Sequence, residues 1–123
     1  MALRILIADD DVEIRRLVSF VIRQDPALVL IGEAVDGDAA IVLAGRHRPD
    51  IVLMDIMMPR VGGLEATRRI KREWPATKVL VLTSLTDDET RCAAFVNGAD
   101  SFLNKRDIAT RLLQAIRNAT RGA

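Results

Sequence analysis

Short apolar runs recur along this chain, and the residue that follows each run is polar. The runs and their followers are residues 5–8 before Asp9 and Asp10, 51–54 before Asp55, 79–82 before Thr83, and 102–103 shortly before Lys105. Successive apolar residues are typical of parallel strands that are covered on both faces. The carboxyl ends of such strands open on one edge of a sheet, where open α/β folds bind ligands. The pattern therefore predicts one cleft that collects three carboxylates, a hydroxyl and an ammonium group.

Segments with helical periodicity lie between the runs. Val12–Gln24 and Ile108–Thr120 each carry an apolar stripe, and Thr86-Asp87-Asp88-Glu89 has capping-box spacing for a helix that reaches about Asn97 before Gly98. Strands are predicted at residues 4–8, 29–34, 51–54, 78–83 and 101–104. The alternation indicates an α/β fold of five strands and five helices. Right-handed crossovers would place the first and third strands side by side at its centre.

Length and charge limit what the chain does. Its 123 residues match the size of one domain, which we expect to span residues 1–123, and 18 basic against 17 acidic residues give a net charge of +1. That balance argues against nucleic acid or an anionic membrane as the main partner. The one cysteine, Cys92, excludes an internal disulfide framework, and no apolar stretch approaches the ~20 residues of a membrane span. Since no signal peptide is evident, we expect a cytoplasmic protein without membrane contact.

The predicted cleft has the composition of a magnesium-dependent phosphoryl site. Asp9 and Asp10 beside Asp55 would repel one another, and a divalent cation resolves that repulsion. Carboxylate oxygens suit Mg²⁺, which a phosphate oxygen completes. A carboxylate can attack phosphorus to form an acyl phosphate, with Lys105 and Thr83 holding the phosphoryl oxygens. Asp55 has no acidic neighbour in the sequence, so we expect it to be the nucleophile.

Four segments together resemble the receiver domain of bacterial two-component response regulators. They are Ile-Leu-Ile-Ala-Asp9-Asp10-Asp, Pro49-Asp-Ile-Val-Leu-Met-Asp55-Ile-Met-Met-Pro59, Val-Leu-Val-Leu-Thr83-Ser84 and Gly98-Ala-Asp-Ser-Phe102-Leu-Asn-Lys105. Each segment is weak evidence alone, but all four occur in order and at the family's spacing. The resemblance implies a flavodoxin-like, doubly wound parallel sheet of five strands in the order 2-1-3-4-5, with helices on both faces.

The resemblance also implies a role for each site residue. Asp55 would accept a phosphoryl group from a sensor histidine kinase. Asp10, Asp55 and the backbone carbonyl of Met57 would bind Mg²⁺, with Asp9 acting through a water molecule. Lys105 would bind the phosphoryl group.

Two hydroxyl residues and one aromatic residue complete the implied site. Thr83 and Ser84 would bind the phosphoryl group, and Thr83 with Phe102 would form a switch. The family uses such a switch to change the surface formed by helix 4, strand 5 and helix 5. A homodimer that forms on phosphorylation is a further expectation. The stretch that begins at Gly63 is similar to receivers of the NarL/FixJ type, which reach DNA only through a separate helix-turn-helix output domain and so control transcription.

The chain departs from most relatives at several positions. Arg106 replaces the usual proline after Lys105, which leaves the geometry of that peptide open, because a non-proline cis bond costs about 3 kcal/mol. Gly62 replaces an acidic residue, although glycine can still cap a helix. Met57 and Leu85 occupy the two positions that modulate dephosphorylation in the family. Neither side chain can orient an attacking water, so we expect a long-lived phosphoryl group.

An enzyme of another class is the main alternative. A haloacid-dehalogenase-like phosphatase would use Asp9 as nucleophile and Asp11 as general acid, with Thr83 and Lys105 in similar roles. This alternative leaves Asp55 without a function. A flavodoxin-like interaction module that has lost phosphorylation is a second alternative, against which the intact acidic set argues.

Overall fold

Five strands alternate with five helices in the computed structural model, which describes residues 2–85 and 87–121. In chain order the elements are β1 (Leu3–Ala8), α1 (Val12–Arg23), β2 (Leu28–Ala34), α2 (Gly37–His47), β3 (Ile51–Asp55), α3 (Gly63–Glu73), β4 (Lys78–Thr83), α4 (Asp88–Val96), β5 (Ser101–Asn104) and α5 (Ile108–Thr120). A single 3₁₀ turn, Lys105–Asp107, precedes α5. The strands predicted from the sequence agree with these bounds to within one residue at each end.

All five strands are parallel and form one sheet in the order β2-β1-β3-β4-β5. The predicted order is therefore confirmed. Alternate residues of the central strands face opposite sides, and both sides are buried: Ile5 and Ile7 pack with α1 and α5, whereas Leu6 and Ala8 pack with α2, α3 and α4. A strand buried on both faces must be apolar throughout, which explains the uninterrupted runs in the sequence.

The strand register aligns the carboxyl ends of the central strands. Ala8 lies beside Met54, Asp55 beside Leu82, and Thr83 beside Asn104. The residues that follow β1, β3, β4 and β5 consequently emerge at one edge of the sheet. No helix within the described ranges is long and apolar enough to span a bilayer.

The helix ends follow local side-chain chemistry. Asp11 caps α1 through a hydrogen bond from the Glu13 amide, and Gly98, with φ of +100°, ends the α4 segment as predicted. The predicted capping box at the start of α4 is wrong in register. Its first residue, Thr86, lies outside the described residues, and Asp87 is the N-cap, because its carboxylate accepts hydrogen bonds from both the amide and the hydroxyl of Thr90.

Two glycines begin α3, and one of them brings the helix close to the end of β3. Gly62 is the N-cap of α3 and makes no side-chain hydrogen bond, in keeping with the expectation that glycine replaces an acidic cap here. A Cβ atom at Gly63 would lie 1.9 Å from the carbonyl oxygen of Asp55, so only glycine fits at this position. The close approach packs the first turn of α3 directly against the strand end that carries Asp55.

Candidate functional site

The side chains predicted to form a cleft meet at the carboxyl edge of the sheet. Asp55 is the last residue of β3 and is 3% exposed, and Asp9, directly after β1, is fully buried. Thr83 ends β4 and is also buried. Asp10 is exposed to solvent, and Lys105 follows β5 in the 3₁₀ turn. The juxtaposition that the strand ends predicted is therefore present.

Three carboxylates lie close enough to share a cation. Asp9, Asp10 and Asp55 each offer an oxygen atom within 4.8 Å of the others. An octahedral Mg²⁺ shell has a diameter of about 4.2 Å, so small side-chain adjustments or one bridging water would fit this donor set to the ion. Hard oxygen donors, one of them open to solvent, match a cation that keeps several waters. The residues present are therefore compatible with Mg²⁺.

Lys105 supplies positive charge to the two buried acids. Its Nζ atom lies 2.8 Å from Oδ2 of Asp9 and 3.2 Å from Oδ1 of Asp55. The short contact to Asp9 is an ion pair without hydrogen-bond angles, which leaves Oδ2 buried and without a hydrogen-bond partner. Burial by itself lowers the pKa of Lys105, but the neighbouring carboxylates of Asp9 and Asp55 outweigh it, and the net shift is upward. Lys105 therefore stays charged.

Asp55 carries an electrostatic penalty when it is ionised. Burial and the adjacent charge of Asp9 raise its pKa from 3.8 to about 6, against the opposing effects of Lys105 and of the Met57 amide, which donates a hydrogen bond to Oδ1 at 3.2 Å. One ammonium therefore does not neutralise the cluster. The site is chemically suited to receive further positive charge.

Asp9 is fixed by several contacts, one of which sequence reasoning missed. Its Oδ1 atom accepts a hydrogen bond of 2.8 Å from the Asp11 amide. Its backbone carbonyl accepts one of 2.8 Å from Nη1 of Arg15, whose Nε atom in turn pairs with Glu33 at 3.0 Å. Arg15 is the fourth residue of the amphipathic helix α1, and an arginine at that position gives no sequence signal of a bond back to the preceding loop.

The residues predicted to form the switch lie near the site in different environments. The Thr83 hydroxyl accepts a hydrogen bond of 3.0 Å from the Leu85 amide, and Ser84 is exposed. Phe102 is partly buried beside the core packed against α2, α3 and α4, and the guanidinium of Arg91 lies 5.9 Å from the centre of its ring. Thr83 and Phe102 therefore lie on neighbouring strands, β4 and β5, which pair directly.

The loop after β3 is held by contacts that the sequence did not reveal. Met57 is 67% exposed at its start. Arg60 has a left-handed backbone, with φ of +64°, and its Nε atom lies 3.3 Å from Oδ2 of Asp38 at the start of α2. The described peptides include no cis bond, so the Lys105–Arg106 peptide, whose geometry the sequence left open, is trans.

Asp11 does not join the acidic cluster. Its carboxylate caps α1, and the cluster found among the described residues consists of Asp9, Asp10 and Asp55. The phosphatase alternative required Asp11 as a general acid and left Asp55 without a function. In the structure Asp55 belongs to the cluster and Asp11 does not, so the phosphatase alternative is not supported.

Comparisons with known proteins agree with this geometry. A family model described as the response regulator receiver domain matches residues 5–117. A protein-glutamate methylesterase/protein-glutamine glutaminase of Myxococcus xanthus is 51% identical over 104 residues, which are 84% of this chain and 30% of that protein. The transcriptional regulatory protein LiaR of Bacillus subtilis is 38% identical over 120 residues, 98% of this chain and 57% of that protein.

A solved structure shows the same fold. The crystal structure of a LuxR-family two-component response regulator from Aurantimonas sp. is 32% identical and has a TM-score of 0.93, over 99% of this chain and 87% of that one. The chain therefore belongs to the receiver domain family of response regulators, as the resemblance implied, and its relatives include regulators of the NarL/LuxR type. It spans less than three fifths of the length of both curated relatives named above.

Replacement of Asp55 by asparagine tests the electrostatic penalty. We predict that Asp55→Asn raises the free energy of unfolding of the metal-free protein by about 1–3 kcal/mol at pH 7. Burial raises the folded pKa of Asp55 from 3.8 to about 6. The gain in the free energy of unfolding of Asp55→Asn over the parent is therefore complete above pH 6. It disappears between pH 6 and 4, because Asp55 of the parent becomes protonated. Urea unfolding of both proteins, in the presence of a metal chelator and at several pH values, measures this difference in the free energy of unfolding.

Glu89→Gln is the control, because it removes an exposed carboxylate from α4, outside the cluster. It should show no such dependence on pH. A parent and an Asp55→Asn variant of equal stability at pH 7 would contradict the predicted penalty.

Proposed function

We propose that Asp55 is the phosphoryl acceptor of this receiver domain and that a sensor histidine kinase supplies the phosphoryl group from a phosphohistidine. One observation carries the proposal. The buried Asp55 carboxylate lies at a strand end beside Asp9, and the Lys105 ammonium lies 3.2 Å from its oxygen. A carboxylate held in this way meets the needs of an in-line displacement, which depends on position and on charge stabilisation.

The reaction exchanges one bond to phosphorus for another. An oxygen of Asp55 attacks the phosphorus atom of phosphohistidine, and the bond between phosphorus and nitrogen breaks. The imidazole nitrogen keeps the electron pair, and an acyl phosphate forms on Asp55. Lys105 stays charged next to Asp55, and we propose that it binds a phosphoryl oxygen, together with Thr83 and Ser84 at the end of β4. Beyond its own phosphorylation and dephosphorylation, we propose no enzymatic turnover.

Magnesium is the proposed cofactor. Asp10, Asp55 and the backbone carbonyl of Met57 would hold the ion, with Asp9 bound through a water molecule, and the support for this assignment is the group of oxygen donors within 4.8 Å. A bound Mg²⁺ would supply positive charge that offsets the charge of the transferred group. The chain itself would contribute the position of the ligands, because the ends of β1 and β3 bring the three carboxylates together.

Phosphorylation would act on the surface of α4, β5 and α5. We propose that the Thr83 hydroxyl turns from the Leu85 amide toward the phosphoryl group and that Phe102 moves with it. The charge of the phosphoryl group would thereby shift the surface of α4, β5 and α5 from one of two conformations to the other. Dimerisation on phosphorylation is part of this proposal, as is a cytoplasmic location beside the kinase.

Two relatives suggest different outputs. LiaR is a transcriptional regulatory protein and matches 98% of the chain, which supports control of transcription through a DNA-binding output domain. The methylesterase matches fewer residues at higher identity, and this favours an enzymatic output as the second candidate. The receiver chemistry is the same in both cases, and we propose the transcriptional output.

Intact mass measures the proposed reaction. After incubation with acetyl phosphate and Mg²⁺, we predict a gain of about 80 Da in the parent. Asp55→Asn should show none, because the nucleophile is lost. Asp88→Asn, which changes an exposed acid at the start of α4, should gain the same mass as the parent. An equal gain in Asp55→Asn, or no gain in the parent, would contradict Asp55 as the acceptor.

The lifetime of the phosphoryl group depends on two apolar side chains near the site. Met57 and Leu85 are 67% and 44% exposed and cannot orient an attacking water. We predict that Met57→Asn combined with Leu85→Glu accelerates loss of the phosphoryl group by about tenfold, as expected when a positioned polar side chain assists proton transfer. The decay of the phosphorylated mass after removal of acetyl phosphate measures this rate. A double variant that decays no faster than the parent contradicts the prediction.

A further inference from the structure

Arg15 connects an edge strand of the sheet to the backbone of the acidic loop. Its side chain is 16% exposed, with Nε 3.0 Å from Glu33 of β2 and Nη1 2.8 Å from the carbonyl oxygen of Asp9. Most exposed arginine pairs in proteins contribute little. Arg15 differs because, besides its pair with Glu33, it donates a hydrogen bond to a backbone carbonyl within the site.

The carbonyl that Arg15 binds belongs to the peptide between Asp9 and Asp10. A peptide unit is planar, so a bond that fixes its oxygen also fixes the direction of the Asp10 nitrogen and Cα. The Asp9 amide on the other side donates to the carbonyl of Ala34 at 3.0 Å. Between them, the two bonds set the direction in which the chain leaves β1.

Asp10 depends on this arrangement more than its neighbours do. Asp9 is held through its own carboxylate by the Asp11 amide and by Lys105. The Asp10 side chain is exposed, and within the described ranges no hydrogen bond holds its carboxylate. Its oxygens therefore reach the cluster only because the backbone points them there.

Glu33 keeps the guanidinium in place for this task. It lies on β2 opposite Ile7 of β1, and it holds Nε while Nη1 reaches the loop. The planar guanidinium makes both bonds at once with little loss of side-chain freedom, which a lysine ammonium does less well.

We propose that Arg15 is a positioning residue for cation binding, acting through the Asp9–Asp10 peptide to direct Asp10 toward the ion. The proposal rests on the proposed magnesium site. Partners of this kind, which orient ligands without touching the metal, typically change metal affinity by 10–100-fold when removed. Arg15 itself contacts neither the ion nor the phosphoryl group in this proposal.

Calorimetric titration of the purified chain with MgCl₂ tests the proposal. We expect Arg15→Gln to weaken Mg²⁺ binding ~10-fold. Arg16→Gln is the matched control, because it removes the same charge from the next residue. The Arg16 side chain is 73% exposed and pairs with Glu13 on the surface at 3.3 Å. The control should remain within twofold of the parent. Arg15→Lys should recover part of the loss, since an ammonium can still donate to the Asp9 carbonyl.

A second measurement separates positioning from loss of fold. In metal-free protein, the amide resonance of Asp10 should shift in Arg15→Gln and not in Arg16→Gln, while the amide resonances of β1, Leu3–Ala8, stay unchanged. If Arg15→Gln does not fold, Glu33→Gln keeps the arginine and should weaken Mg²⁺ binding by a smaller factor of ~3.

The outcomes distinguish this proposal from the proposed function. Equal Mg²⁺ affinity in Arg15→Gln and Arg16→Gln, with a parent that binds the ion, overturns the role of Arg15 alone. A parent that binds no Mg²⁺ overturns the metal site and the role of Arg15 together. A selective loss in Arg15→Gln, with partial recovery by lysine, supports both.

Discussion

The contact of Lys105 with two buried carboxylates is the interaction on which this site depends. Asp9 and Asp55 are almost fully buried, and each would be unstable as an isolated charge. The ammonium lies within 3.2 Å of both and partly offsets their repulsion. Asp10 adds a third negative charge at the rim, so the cluster keeps an excess of negative charge. The protein thus holds its acids in a folded arrangement that still favours an incoming cation.

The parallel sheet makes this arrangement possible. β1, β3, β4 and β5 each deliver one or two polar residues to the same edge, and helices cover both faces of the sheet. The geometry of the loops then fixes the details. Gly63 lets α3 approach the Asp55 backbone, and Arg15 holds the peptide that precedes Asp10. The carboxyl edge of the sheet therefore borders the hydrophobic core and also carries the residues of the candidate site.

The sequence predicts the parts of this site that depend on strand ends. Runs of apolar residues locate β1, β3 and β4, and the polar residues after them must meet once the strands are parallel. The structure brings Asp9 and Asp55 together and places the buried Thr83 at the end of β4, the strand next to β3. The roles of these residues in phosphoryl transfer remain predictions.

Other features depend on contacts between residues far apart in the chain or on local competition that spacing does not resolve. The bridge from Glu33 through Arg15 to Asp9, and the pairing of Arg60 with Asp38, appear only when α1, β2 and α2 are packed. At α4, two adjacent residues could serve as the N-cap, and the carboxylate of Asp87 rather than the capping-box register determines the start of the helix.

The titration of Asp55 tests the central claim, that this cluster has more negative charge than Lys105 can neutralise. Carbon-13 labelling of aspartate carboxyl groups allows the midpoint to be measured by NMR with and without Mg²⁺. We predict a midpoint near pH 6 in metal-free protein, because burial and Asp9 raise the pKa to about 6, and a clear fall when Mg²⁺ is added. A midpoint near the ordinary aspartate value that does not respond to Mg²⁺ would contradict the claim.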